Sequence, residues 1–231
     1  MEGPNLKIIA RIKTDFPEKF GIPRQSGMVG TTEGRIIFEP EYRNADAVRG
    51  LENFSHIWLL WQFSKSLREG WSPTVRPPRL GGNKRVGVFA TRSPFRPNEI
   101  GLSSVKLKRV ELTETLGPVL YVEGADLLNG TPIYDIKPYL KFTDSHPDAV
   151  DGFAEDYRDY KLDVIFPENL KRNLDDKTVT ALVSLLAADP RPSYQHDPER
   201  VYVMAYSCYE VEFSVDGDVL TVKAIKFEGS L

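Results

Sequence analysis

Alternation of apolar and polar positions, the period of a strand with one buried face, is the dominant signal along this chain. It predicts strands over residues 6–12, 35–39 and 86–90, where Val86, Val88 and Ala90 alternate with Gly87 and Phe89. Residues 55–64 differ. Ile57, Trp58, Leu59, Leu60, Trp61 and Phe63 put apolar groups on both faces, which predicts a central strand buried on each side. Paired strands are expected over 104–111 and 119–124 around Gly117-Pro118, and another over 133–139 after the turn Asn129-Gly130. Helical spacing is clear over 178–188, with Leu182, Leu185 and Leu186 on one face and Asp175 or Asp176 near its start. A helical turn over 45–51 can be capped by Asn44. A strand over 162–166 precedes the helix, and a hairpin of 201–213 with 219–227 around Asp216-Gly217 follows it. The fold class this pattern predicts is mainly β. A closed or nearly closed β-barrel occupies residues 1–145 and a small α/β domain 146–231, with an acidic cluster over 144–159 at the boundary.

Composition narrows the class. The chain has 231 residues, 41% hydrophobic and 27% charged, enough for a sizeable core in one large domain or a main domain plus a small one. No apolar run reaches membrane-spanning length, and the first residues lack the order of a signal peptide. The single cysteine, Cys208, has no intrachain partner and reads as a small hydrophobe inside a strand. A cytoplasmic protein is the expectation. His56, His146 and His196 are too scattered for a compact metal site, so no metal is expected. No serine sits in a nucleophile elbow, and no G-x-G-x-x-G follows a strand. Pro77-Pro78 is flanked by Arg76 and Arg79 rather than by the Asp or Asn and aromatic residue of Rossmann-class adenine methyltransferases.

Charge changes the picture more than its total of −3 suggests. Between Arg76 and Arg109 stand nine basic residues and one acid, Glu99, so this segment carries +8 and the remainder −11. A basic segment on an acidic body is the footprint of local phosphate binding, and Arg76, Arg79, Lys84 and Arg85 are the candidate phosphate contacts. The plainer alternative is a solvated charged face. Inside the same segment, Pro94 and Pro97 stiffen a loop that carries Arg92, Ser93, Phe95, Arg96, Asn98 and Glu99. Two fixed guanidinium forks around an aromatic ring suit a ligand that combines a carboxylate or phosphate with a flat ring. They equally suit pairing with structural carboxylates.

Five stretches also carry a resemblance: IPRQSG at 22–27, DAVRGLENFSHIWLLWQF at 46–63, RPPRLGGNKRVGVFATR at 76–92, LLNGTPIYDIKPYL at 127–140 and DPRPSY at 189–194. Together with the 86–102 loop they resemble the TsaA-type family called TrmO. The resemblance implies a tRNA methyltransferase that uses S-adenosylmethionine, methylating the N6-threonylcarbamoyladenosine just 3′ of the anticodon. It implies a homodimer with the cofactor near the subunit interface. The family's cofactor contacts fall on Pro23, Arg24, Gln25, Arg92, Leu102, Asn129, Gly130, Thr131 and Pro132. Relatives often have a histidine after the apolar strand; here Ser64 and Lys65 stand in its place, and Ser64 can still hydrogen-bond the cofactor.

Methyl transfer needs neither metal nor covalent enzyme intermediate, because the donor already carries a good leaving group; alignment is the protein's main task. An N6 nitrogen is a weak nucleophile that an acceptor for its N–H would activate. Asp135 or a nearby backbone carbonyl is the expected acceptor, and Asp135 is equally readable as a strand-end turn partner. Arg96, beside Phe95 on which adenine can stack, is the candidate partner for the threonylcarbamoyl carboxylate; otherwise it braces its loop. Two rivals stay open: a non-catalytic RNA-binding barrel, and a methyltransferase of the same fold with another substrate.

Overall fold

The computed structural model describes residues 5–66, 70–77, 80, 84–157, 160–192, 195 and 197–229. Arg79, Tyr194 and His196 therefore lie outside the described residues. Six antiparallel strands close into a barrel: β1 (Ala10–Thr14), β2 (Glu33–Phe38), β3 (His56–Gln62), β6 (Ile100–Thr113), β7 (Gly117–Glu123) and β8 (Pro132–Pro138). Their order is β1-β2-β7-β6-β3-β8, and Ala10 pairing with Ile133 closes the ring. Closure leaves no sheet edge to template aggregation. Alternate residues fill the interior: Ala10 and Ile12, Ile36 and Phe38, Ile57, Leu59 and Trp61, Val105 and Leu107, Leu120 and Val122, Ile133. The interior is tight at Gly101, where a Cβ would fall 2.3 Å from the Trp61 indole.

The expectation for 55–64 needs refining. β3 buries Ile57, Leu59 and Trp61 inside the barrel, whereas Trp58 and Leu60 face outward and are only partly covered. Trp58 is apolar on the outside because Tyr139 packs on it and its Nε1 donates to Asp144 Oδ2 at 2.9 Å. Residues 86–90 are not one strand. A two-residue ribbon pairs β4 (Thr74–Val75) with β5 (Val86–Gly87), and Val88–Ala90 then coils into a 3-10 turn.

A second sheet orders β10 (Tyr202–Tyr206), β11 (Tyr209–Asp216), β12 (Val219–Phe227) and β9 (Asp163–Ile165), the last parallel to β12. Besides two single-turn helices, α1 (Lys141–Asp144) and α2 (Glu168–Lys171), the chain forms α3 (Asp176–Ala187). Asp175 caps α3 by accepting from Thr178 N, and Ala181, Leu182, Leu185 and Leu186 are its buried stripe. The stretch 201–213, expected as one strand, is two, folded at Ser207 (φ 53°) with Tyr206 opposite Tyr209. Cys208 accordingly sits in a hairpin turn, not inside a strand.

The second core reaches back into the first half of the chain. Phe16 and Val29 are buried in it, and Phe20 and Ile22 pack against it. Gly21 (φ 93°) admits no side chain, since a Cβ there would meet Met204 at 2.5 Å. Backbone and side-chain bonds add to the seam: Ser207 N to Asp15 O at 2.7 Å, Ala205 N to Glu18 Oε1 at 3.3 Å.

Candidate functional site

Strand directions place three connections at one mouth of the barrel. Thr14 pairs with Gly34, Glu33 with Glu123, and Gln62 with Ile100, so the β1–β2, β3–β6 and β7–β8 connections emerge together. The candidate cofactor residues Pro23, Arg24, Gln25, Ser64, Lys65, Arg92, Asn129, Gly130 and Thr131 lie on these three connections. Pro132 opens β8, and Leu102 lies just inside β6, opposite Leu60.

The Asn129–Pro132 turn is fastened to β1. Asn129 N donates to Phe16 O and Gly130 N to Ile12 O, both at 2.8 Å, while Asn129 Oδ1 accepts from Thr14 N at 3.3 Å. Thr131 is buried and its hydroxyl donates to Leu128 O at 2.7 Å. The Thr131 hydroxyl and the Asn129 Oδ1 are thus committed to holding the turn. Gly130 (φ 80°) has open space where a Cβ would stand, so a ligand can approach the main chain closely there.

Across the mouth, Arg92 Nη1 donates to Gln25 Oε1, tying two candidate cofactor loops together. Arg24 turns toward the second sheet, where its Nη2 donates to the carbonyls of Asp189 at 3.2 Å and Arg191 at 2.5 Å. Those two residues form a buried bidentate pair, Arg191 Nε and Nη2 to the Asp189 carboxylate at 2.9 and 3.1 Å. Lys65 offers its carbonyl to Lys19 Nζ, and Ser64 N donates to Gln62 O at 2.8 Å.

The proline-bounded loop is held by local hydrogen bonds. Thr91 Oγ1 and Ser93 Oγ accept from Ser93 N and Phe95 N, and Arg96 N donates to Pro94 O at 2.9 Å. Arg96 Nη1 donates to the carbonyls of Thr91 at 3.1 Å and Ser93 at 3.4 Å, so part of its fork braces the loop. Phe95 and Arg96 line a pocket of about 240 Å³ together with Trp71, Pro94, Ser66 and Glu99. Trp71 and Phe89, 53% and 71% exposed, stack at 6.1 Å beside it. Together they form an exposed apolar pair next to the pocket. Composition had not singled either out, although an isolated Trp in a proline-rich basic loop was the available signal.

Asp135 is not brought to this mouth's pocket. It pairs in register with Leu60 and lines a separate groove of about 520 Å³ with Ile9, Tyr42, Phe54 and Pro138. Its Oδ2 lies 2.9 Å from Lys137 Nζ and its Oδ1 accepts from Ile136 N at 2.9 Å. A carboxylate that the sequence reading passed over does lie at the mouth. Asp126 Oδ1 accepts from Ser103 Oγ at 2.6 Å, and Ser103 Oγ accepts from Trp61 Nε1 at 2.9 Å. Burial pushes the Asp126 carboxyl up, against the opposing pull of Ser103, of its own and Ser26's amides, and of the Arg92 charge.

The basic segment divides in space. Lys106 and Lys108 bridge to Glu123 at 2.8 and 3.2 Å, Lys108 also meets Glu33, and Arg109 meets Glu111 at 3.2 Å. Among the described residues Arg76, Lys84, Arg85, Arg92 and Arg96 enter no ion pair with a carboxylate, and Arg85 donates weakly to Thr74 Oγ1 at 3.4 Å. The candidate phosphate contact Arg79 lies outside the described residues.

Comparison with known proteins accounts for both halves of this arrangement. Residues 11–145 match the tRNA-methyltransferase O N-terminal domain and residues 159–228 the TrmO C-terminal domain. The chain belongs to the tRNA-methyltransferase O family. It is 45% identical over 197 residues to the tRNA (adenine(37)-N6)-methyltransferase of Escherichia coli (strain K12), covering 83% of each chain. It is 47% identical over 174 residues to the enzyme of the same name from Eikenella corrodens, covering 75% of this chain and 97% of that one. The crystal structure of TrmO from Pseudomonas aeruginosa superposes with a TM-score of 0.77 at 30% identity, over 97% of this chain and 100% of that one.

Proposed function

We propose that this protein transfers a methyl group from S-adenosylmethionine to N6 of N6-threonylcarbamoyladenosine, the nucleotide beside the tRNA anticodon. The observation that carries the reading is the single barrel mouth. The connections that emerge there carry the 129–132 turn, Arg92 bonded to Gln25, and the pocket lined by Phe95 and Arg96, and exposed Leu102 lies near the start of β6 at the same end. The residues fit the cofactor: Leu102, 55% exposed despite being apolar, and the open backbone at Gly130 suit an adenosyl group, and Arg92 suits the methionine carboxylate. When bound, S-adenosylmethionine supplies an electrophilic methyl on a sulfonium leaving group. The chain's own work is to hold Arg92, the 23–25 segment and the 129–132 turn in fixed relation, so that nitrogen, methyl and sulfur fall in line.

Arg96 keeps Nη2 and Nε for the threonylcarbamoyl carboxylate while Nη1 braces the loop, and Phe95 offers its ring to the base. Of the two acceptors for the N6 proton, a backbone carbonyl of the mouth is favoured over Asp135, which is engaged by Lys137 and lines the other groove. Arg76, Arg79, Lys84 and Arg85 contact phosphates. Catalysis is by a cytoplasmic homodimer whose 1–145 part carries the site; the exposed apolar pair Trp71 and Phe89 is a surface that a second copy can cover.

A single-turnover assay with modified and unmodified tRNA tests the assignment. The threonylcarbamoylated tRNA is methylated far faster, and Arg96→Ala narrows the gap by damaging that substrate more. Equal rates on both tRNAs would overturn the substrate assignment, and equal slowing of both by Arg96→Ala would return Arg96 to bracing.

A further inference from the structure

We propose that Asp126 is a positioning residue of the cofactor site, joining the barrel wall to the 23–27 loop and to Arg92. The inference rests on the reading of this mouth as the S-adenosylmethionine site. It starts from a directional chain of hydrogen bonds. Indole N–H can only donate, so Trp61 Nε1 occupies an acceptor position of Ser103 Oγ and leaves the hydroxyl proton to point at Asp126 Oδ1. Trp61 and Ser103 are both buried in the barrel, and Gly101 lets the indole lie flat against β6. The carboxylate is therefore aimed by side chains buried in the barrel wall.

Its other neighbours belong to the cofactor loops. The Ser26 amide and the Arg92 guanidinium both act on the carboxylate. One residue further on, Gly27 N donates to Gly124 O at 2.9 Å, and one residue back, Gln25 Oε1 takes Arg92 Nη1. Asp126 thus lies between two loops that are joined to each other at Gln25 and Arg92. The Ser26 side holds a backbone amide toward it, whereas Arg92 acts on it through charge alone, from beyond ion-pair distance. No carboxylate lies within ion-pair distance of Arg92 among the described residues, so its fork stays available to a ligand while the Asp126 charge steers it. A neutral amide at 126 keeps the volume and one acceptor but turns the other oxygen into a donor, setting it against the Ser26 N–H, and removes the charge that acts on Arg92.

The test is calorimetric titration of S-adenosylmethionine into the full chain, with no tRNA present. Asp126→Asn, with an unchanged circular dichroism spectrum, weakens binding about 10- to 100-fold, the range for losing a charge-assisted partner in a site. Steady-state kinetics then show KM for S-adenosylmethionine raised and KM for tRNA unchanged. Positioning through Arg92 also makes the two substitutions non-additive: in an Arg92→Ala background Asp126→Asn costs less than threefold. Ser103→Ala is the second variant, which removes only the hydroxyl that aims the carboxylate and weakens binding about threefold to tenfold; it carries the test if Asp126→Asn does not fold. Parent-like affinity in a folded Asp126→Asn protein, or in Ser103→Ala where that protein is unfolded, overturns the inference. So do fully additive losses with Arg92→Ala. A parent protein that binds no S-adenosylmethionine instead removes the cofactor reading on which the inference stands.

Discussion

One basic run in the sequence has two fates in space. On β6, Lys106, Lys108 and Arg109 stand in a ladder and meet Glu123, Glu33 and Glu111 from the same strand or from β2 and β7. On the loops of the barrel mouth, Arg76, Lys84, Arg85, Arg92 and Arg96 meet amide oxygens, hydroxyls or solvent but no described carboxylate. The difference is geometric. A strand in a closed barrel has a fixed register, so each outward lysine can be given a carboxylate across the ladder. Loop cations have no such neighbour strand, and their field extends to whatever approaches. Charge count alone would have put the ligand footprint equally on both.

The sharpest break of this comparison is at Arg92. Arg92→Ala is expected to weaken S-adenosylmethionine binding by about 2 kcal/mol, the scale of one charge-assisted contact in a partly solvated site. Arg92→Lys restores little, because an ammonium cannot reproduce the fork. Lys106→Ala, which removes an equal charge from the same run, leaves the affinity unchanged. Calorimetry on the three variants decides the point, and a loss on Lys106→Ala equal to that on Arg92→Ala would dissolve the distinction.

A smaller effect is expected from the phosphate-facing cations. Arg76→Ala, Lys84→Ala and Arg85→Ala should each lower tRNA affinity and reduce the slope of log affinity against log salt by about one unit. Lys106→Ala and Lys108→Ala should leave that slope as it is, since their charges already have partners. Filter binding between low and moderate salt separates the two groups. A slope lost equally from loop and strand variants would make the whole run a single diffuse patch.

How much of this was legible beforehand follows from the range over which each signal acts. The barrel strands were legible because alternation is local and repeated, and the boundaries of α3 came close because its cap and apolar stripe lie within one stretch. The fold of 201–213 was missed because Tyr206-Ser207-Cys208-Tyr209 carries no glycine or asparagine to announce a tight turn. Val86–Ala90 alternates like a strand, yet only Val86 and Gly87 find a partner strand, and the remainder coils. The family motifs marked the mouth well, but Asp126 adjoins the LLNG stretch without standing out in it; its meaning comes from Ser103, 23 residues away. Lys108 likewise could not be assigned its partner Glu33, 75 residues earlier in the chain.

The smallest expected effect concerns that pairing. Glu33 is held at about 2 by its hydrogen bonds to Lys108 and Lys177, which outweigh the opposing cost of burial. Lys108 lies on β6 and Lys177 at the start of α3, so the carboxylate ties the barrel to the second sheet's helix. The folded value is depressed below the ordinary 4.5, so the stabilisation is fully present above about 4.5 and is lost as pH falls toward about 2. The side chain is 28% exposed and both lysines are largely solvated, which limits the contribution to about 1 kcal/mol. Urea unfolding of the parent and of Glu33→Gln should therefore differ by about that amount at pH 6 and converge as pH is lowered through 4 toward 2. High salt at pH 6 should close part of the same gap. A difference that persists unchanged at pH 2 would mean that Glu33 acts by packing rather than by charge, and the ladder of β6 would lose its claim to be a set of satisfied ion pairs.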